Sequence, residues 1–180
     1  MATLTADFLD KFVGKTIVDI CPLKFGTIGD KHNHCAHVVG HAMKLNNAST
    51  NGFTCAGMVY SGKSHPDAGA VIRVNDLYNI CIDIDEPDPL GCLAYYTLPN
   101  NIDKNGFMGT MSQKHVGICH GGYVYNYGNS KDAVRKDKVG DLASLYGAKT
   151  ITRYTKLPPL YTLLTLEEIQ ALVPAPAKKP

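Results

Sequence analysis

From residue 33 the chain reads Asn33-His34-Cys35-Ala36-His37-Val38-Val39-Gly40-His41-Ala42-Met43. Counted from Cys35, Val38, Val39, Ala42 and Met43 fall three, four, seven and eight positions on. That is one face of an α-helix, with Cys35 in its first turn. Upstream, Phe8, Leu9, Phe12 and Val13 predict a helix over 7–13, capped by Thr5 or Asp7 and ended by Gly14. Residues 16–29 contain Pro22, Gly26 and Gly29 and read as irregular. Residues 46–67, rich in Asn, Ser, Gly and Thr, read as a long loop. Ala70, Val71, Val74, Leu77 and Tyr78 form a helical stripe over 67–79. After a turn over 87–91 the period changes. Residues 92–98 read as a strand and 99–113 as a loop. Residues 115–119 and 123–127 flank Gly121-Gly122 as the arms of a β-hairpin. A short helix over 137–146 and a strand over 149–157 follow. Thr165 and Glu168 form a capping box that opens a last helix. The Pro/Ala/Lys-rich tail over 174–180 is expected to be disordered. Helices followed by a run of strands predict an α+β fold, helices packed on an antiparallel sheet, in one domain over 1–173.

Composition narrows the function classes. The chain has 180 residues, 44% hydrophobic and 19% charged, with a net charge of +2. The sequence has no Lys/Arg block to track a phosphate backbone, so no nucleic-acid partner is expected. Nor has it an apolar run of membrane-spanning length, so no membrane partner is expected. Its first residues lack the basic and apolar regions of a secretory signal. The six cysteines, Cys21, Cys35, Cys55, Cys81, Cys92 and Cys119, form no C-x-x-C pair, which argues against zinc ribbons and thioredoxin-like redox sites. Most are expected to be buried free thiols, with one disulfide involving Cys21 or Cys55 left open.

The chemistry centres on Cys35. A cysteine nucleophile works as a thiolate, and both a helix N-terminus and a nearby imidazolium favour that form. Cys35 has the first by position. His115, opening an apolar strand, is the candidate for the second. Hairpin parity supplies a third group. If Gly121-Gly122 is a two-residue turn, His120 pairs with Tyr123 and Gly117 with Asn126, and Asn126 shares a sheet face with His115. A three-residue turn would put Asn126 on the wrong face. Tyr123, Tyr125 and Tyr127 then point to the opposite face and pack there.

His32, His34, His37 and His41 surround the cysteine. His37 and His41 are spaced i, i+4 on one helix face, as metal-ligand pairs can be. No carboxylate or second His/Cys pair stands nearby at standard spacing, so no metal and no cofactor are expected. The alternative is that these histidines line a cleft, contact substrate or tune Cys35.

Three stretches together resemble NlpC-type papain-like cysteine peptidases and the related CHAP amidases. Residues 33–39 resemble the family's nucleophile helix, Asp-Cys-Ser-x-Phe-Val. Leu90-Gly91-Cys92-Leu93-Ala94-Tyr95-Tyr96 resembles its Pro-Gly-Asp-Leu-Val-Phe-Phe strand. His115-Val116-Gly117-Ile118 matches its His-Val-Gly-Ile strand. The motifs occur in the family's order over 31–128, with Asn126 where the family places its third polar residue. His34, Ala36 and Cys92 stand where the family has Asp, Ser and Asp. The resemblance implies a papain-like core in which Cys35, His115 and Asn126 cleave an amide bond, most often in peptidoglycan stem peptides. The Cys35 backbone N–H would help hold the oxyanion. The activity implied is that of a cell-wall amidase or endopeptidase acting outside the cytoplasm, as a phage lysin or as a delivered antibacterial toxin with a cognate immunity protein. The alternatives are a papain-like effector acting on a protein or acyl substrate, and a non-enzymatic His/Cys metal-binding module.

Overall fold

A computed structural model of the chain describes residues 4–21, 23, 33–50, 52–56 and 69–171. The elements, in chain order, are helices α1 (Ala6–Asp10), α2 (Ile17–Ile20), α3 (Cys35–Ala42), α4 (Asn47–Thr50) and α5 (Val74–Tyr78). Then come strands β1 (Asp83–Ile84), β2 (Cys92–Thr97), β3 (Lys114–His120), β4 (Tyr123–Gly128) and β5 (Ala133–Lys138). Helix α6 (Val139–Leu145), strand β6 (Ile151–Thr155) and helix α7 (Leu166–Ala171) complete the order. The six strands form one sheet in the order β1-β6-β2-β3-β4-β5, and every pairing is antiparallel. This is the α+β class the sequence predicts.

Each sheet face is covered. Leu93, Tyr95, Val116, Ile118, Tyr125 and Tyr127 belong to the larger core, together with α1, α2, α3, α5 and α7. The tyrosines of β4 thus pack as parity requires. Cys92, Ala94, Tyr96, Cys119 and Val124 form a smaller core on the other face, under Leu142 of α6. Central strand β2 is buried along its whole length, which suits a strand read as a continuous apolar run. All eight residues of α3 are buried. That helix packs on β3 and β4 and is ringed by α2, α5 and α7. Gly40 permits the approach of the neighbouring chain: a Cβ there would lie 2.6 Å from the Val71 carbonyl oxygen.

Local chemistry sets the element ends. Thr5 Oγ1 accepts from Phe8 N–H at 3.2 Å and starts α1. The helix closes at Asp10, with turns running on to Gly14 at φ +79°. A capping box between Thr16 and Asp19 starts α2 inside a stretch expected to be irregular. Thr165 and Glu168 cap α7 reciprocally, at 2.8 and 3.2 Å.

Two expectations need correction. The helix expected over 67–79 shrinks to Val74–Tyr78, because Val71 bridges Thr54 and the backbones of 53–55 and 70–72 hydrogen-bond to each other. β-branched Val71 and Ile72 suit that extended pairing. The helix expected over 137–146 begins at Val139, because Asp137 and Lys138 end edge strand β5. The tail over 174–180 lies outside the described residues.

The hairpin forms in the two-residue register. Gly121 and Gly122 have φ of +57° and +82°, as a tight primed turn requires. Gly117 pairs with Asn126 and His120 with Tyr123. The β3–β4 ladder stops at Gly117↔Asn126, although β3 runs back to Lys114 and β4 on to Gly128. A Cβ on Gly117 would lie 2.8 Å from Tyr125 O and 2.9 Å from Asn126 Cβ, and nearer still to Val124 Cγ1. Gly117→Ala therefore overpacks the last paired rung, at a cost of about 1–3 kcal/mol. Urea denaturation should show a lowered midpoint with an unchanged m-value.

Candidate active site

Cys35 is the first residue of α3, and its side chain is 1% exposed. The helix docks where the β3–β4 ladder has ended, near enough to Val116 that its backbone N–H favours the Cys35 thiolate. The nucleophile candidate therefore lies against the residue that follows His115. Asn33 holds this junction: its Oδ1 accepts from Cys35 N–H at 3.1 Å, and its Nδ2 donates to the Lys114 carbonyl at 3.4 Å.

His115 and Asn126 are both 2% exposed. By strand alternation they point to the face that carries Cys119, Val124 and α6, opposite the face that α3 covers. The His115 ring stacks on Tyr146 with centroids 4.8 Å apart and planes at 28°. Burial holds the Tyr146 hydroxyl above its ordinary value, and a thiolate at Cys35 would raise it further. Thiol and imidazole thus approach the end of the ladder from opposite sides of the sheet.

His115 and Asn126 are hydrogen-bonded. His115 Nε2 lies 2.9 Å from Asn126 Oδ1. Asn126 Nδ2 donates to Asp137 Oδ2 at 2.9 Å and to the Val124 carbonyl at 3.2 Å. Asp137 Oδ1 in turn takes Arg135 at 2.5 Å. A carboxylate only accepts, so Asp137 fixes which end of the Asn126 amide faces the ring. Oδ1 must then accept from a protonated Nε2, which leaves the lone pair of His115 on Nδ1. Sequence reasoning missed Asp137 and Arg135: Asp137 read as a helix start and Arg135 was assigned to no element, whereas both belong to the strand beside β4.

Burial dominates the electrostatics. It pushes the Cys35 thiol up to about 11, against the pull of the Val116, Ala36 and Cys35 backbone N–H groups and of Lys114. It pushes His115 down to about 4, against the Asn126 hydrogen bond and the Asp137 charge. The resting pair is therefore neutral thiol and neutral imidazole, where the sequence predicts a thiolate. A helix terminus contributes only about 0.3–1 kcal/mol, whereas desolvating a charge costs several.

Two cavities meet at Asn33. One, of about 430 Å³, is lined by Asn33, Arg73, Asn75, Thr110, Ser112 and Lys114 among others. The other, of about 380 Å³, is lined by Asn33, His115, Asn126, Ser130, Arg135 and Tyr146 among others. Among the described residues that line them, the charged groups other than the histidine are all cationic.

Three of the histidines around Cys35 turn inward rather than onto an open cleft. His34, His37 and His41 are buried. His34 Nδ1 lies 3.2 Å from His37 Nδ1, and His37 Nε2 lies 3.1 Å from His41 Nε2. Cys55 Sγ stands 3.8 Å from His41 Nε2. Cys21 completes a group whose ligand atoms all lie within 4.8 Å of one another. The second Cys pair that spacing did not show is thus supplied by segments distant in sequence. Burial pushes His37 down to about 4, so its ring is neutral at neutral pH. His32 lies outside the described residues.

No protein-family model, curated protein or solved structure matches the chain.

The His115 shift has a stability consequence. Between pH 6.5 and about 4 the unfolded chain takes up a proton that the folded site refuses. The stabilisation is complete above 6.5 and is lost as pH falls through that window, by up to about 3 kcal/mol. Denaturant titrations across pH 4–7 should show His115→Gln losing less stability on acidification than the wild type.

Proposed function

We propose that the chain is a cysteine hydrolase of amide bonds, with Cys35 as nucleophile, His115 as general base and then acid, and Asn126 as the group that orients the imidazole. The observation that carries this reading is the 2.9 Å His115–Asn126 bond, formed beside the helix head that presents Cys35. Asn126 holds Nε2, so Nδ1 is the atom that takes the thiol proton as sulfur attacks the carbonyl. The same nitrogen returns the proton to the leaving amine and then activates water against the thioester.

Asn33 supports the position of the oxyanion. Its side-chain carbonyl oxygen occupies the acceptor position of the Cys35 N–H. A substrate carbonyl that displaced it would meet the same donor, which is where the developing charge needs one. Displacement would also open the path to a thiol that is otherwise enclosed.

The substrate class follows from two lines of support. The resemblance to NlpC-type peptidases favours peptidoglycan stem peptides. The cationic linings, with Arg73 and Lys114 on one side of Asn33 and Arg135 on the other, favour a peptide that carries free carboxylates.

Incubation of purified peptidoglycan with the protein, followed by mass analysis of the fragments, tests the proposal. The wild type should release amide-cleaved muropeptides. Cys35→Ala should release none, and His115→Ala should be slower by about 10²–10⁴-fold. Asn126→Ala should lower kcat with KM held and move the acid limb of the rate profile, near pH 4 in the wild type, to lower pH. Intact muropeptides with the wild type would end the cell-wall reading. Undiminished cleavage by Cys35→Ala would end the nucleophile assignment.

A further inference from the structure

We propose that Cys21, His37, His41 and Cys55 bind a zinc ion that clamps α3 to the chain segments before and after it. The four come from three places. Cys21 caps the C-terminus of α2, His37 and His41 stand one turn apart on α3, and Cys55 follows the Thr54↔Val71 bridge. Their ligand atoms converge within 4.8 Å, with 3.1 Å between the imidazole nitrogens and 3.8 Å between sulfur and nitrogen. For bonds of about 2.0–2.1 Å to nitrogen and 2.3 Å to sulfur, tetrahedral edges come to roughly 3.3–3.8 Å, so the donors stand close to ligand spacing.

The donor set selects the metal. Two thiolates and two imidazoles form the closed set of a structural zinc site, and soft sulfur disfavours magnesium or calcium. Charge explains how the set tolerates its place. All four residues are buried, and Cys21 and Cys55 belong to the larger core. Two thiolates, two neutral imidazoles and a divalent cation sum to zero, so the cluster adds no net charge to an apolar interior.

The surroundings are those of a ligand shell. The Ala70 backbone N–H donates to Cys55 Sγ at 3.2 Å, which suits a thiolate acceptor. His37 Nε2 faces the cluster, while its Nδ1 lies 3.2 Å from His34 Nδ1. His34 is thus placed to accept from His37 Nδ1–H and to hold the ring with Nε2 toward the ion, as groups behind ligating histidines do. With four protein ligands the ion has no open position, so its role is to hold the fold. The proposal is independent of the hydrolase reading: each of metal content and peptidoglycan cleavage can be present without the other.

The test uses the full chain purified without chelator. Elemental analysis should find one zinc per chain in the wild type and in Cys35→Ala, and much less in Cys55→Ser and His41→Ala. Because loss of a buried ligand can itself impair folding, the wild type carries a second measurement. Stripping with a chelator should lower its melting temperature, and zinc should restore it. Cobalt added to the stripped protein should give the intense ligand-field bands of a tetrahedral thiolate site. Metal-free wild type that takes up neither zinc nor cobalt would overturn the proposal. So would a Cys21–Cys55 disulfide found by peptide mass, or metal content unchanged in both ligand variants.

Discussion

The site depends on where the β3–β4 ladder ends. Past Gly117↔Asn126 the two strands stop pairing, although both continue. The Val116 N–H, which a continuing ladder would bind to β4, lies near enough to the Cys35 sulfur to favour its thiolate. A continuous sheet would separate a helix on one face from an imidazole on the other by a full layer of backbone. The opening lets the head of α3 and the first residues of β3 meet edge to edge. Gly117 at the last rung makes the opening compatible with a tightly packed hairpin, and Asn33 ties the two sides together.

Enclosure governs the chemistry as much as geometry does. At 1% and 2% exposure, Cys35 and His115 are each held in the uncharged form. The resting site therefore stores no ion pair. In the proposed reaction proton transfer from sulfur to imidazole would accompany attack, and the Asp137–Asn126 hydrogen bond already sets which nitrogen is free to receive it. The same principle extends to α3 as a whole. A helix buried on every side that carries His34, His37 and His41 must satisfy each ring internally, and it does so through a continuous run of polar contacts from His34 to Cys55.

The parts of this arrangement that were legible in sequence are the local ones. Gly121-Gly122 marks the hairpin, and once the turn is two residues long parity places Asn126 on the same face as His115. The apolar stripe behind Cys35 likewise fixes α3. Contacts distant in sequence were not legible. Val71 belongs to a helical stripe, yet it bridges Thr54, and the Ile72 N–H beside it donates to the Phe53 carbonyl. Arg135, Lys136 and Lys138 look like a solvated surface, yet they line an edge strand that needs only one apolar face. His37 and His41 announce themselves by spacing, while Cys21 and Cys55 join them only through tertiary packing. Thr16 and Asp19 carried a readable capping signal that neighbouring Pro22 and Gly26 obscured. The thiolate expectation failed for a different reason: spacing shows a helix head but not how completely it is buried.

The two borders of the sheet bear on how copies of this chain meet one another at high concentration. One border is β1, only two residues long. The other is β5, where Arg135, Lys136, Asp137 and Lys138 follow in succession. There the Gly14 N–H and the Lys15 carbonyl already occupy the Val134 backbone groups, at 2.9 Å each. A stranger's strand seeking to extend the sheet would find a stub on one flank and a charged, partly capped rail on the other.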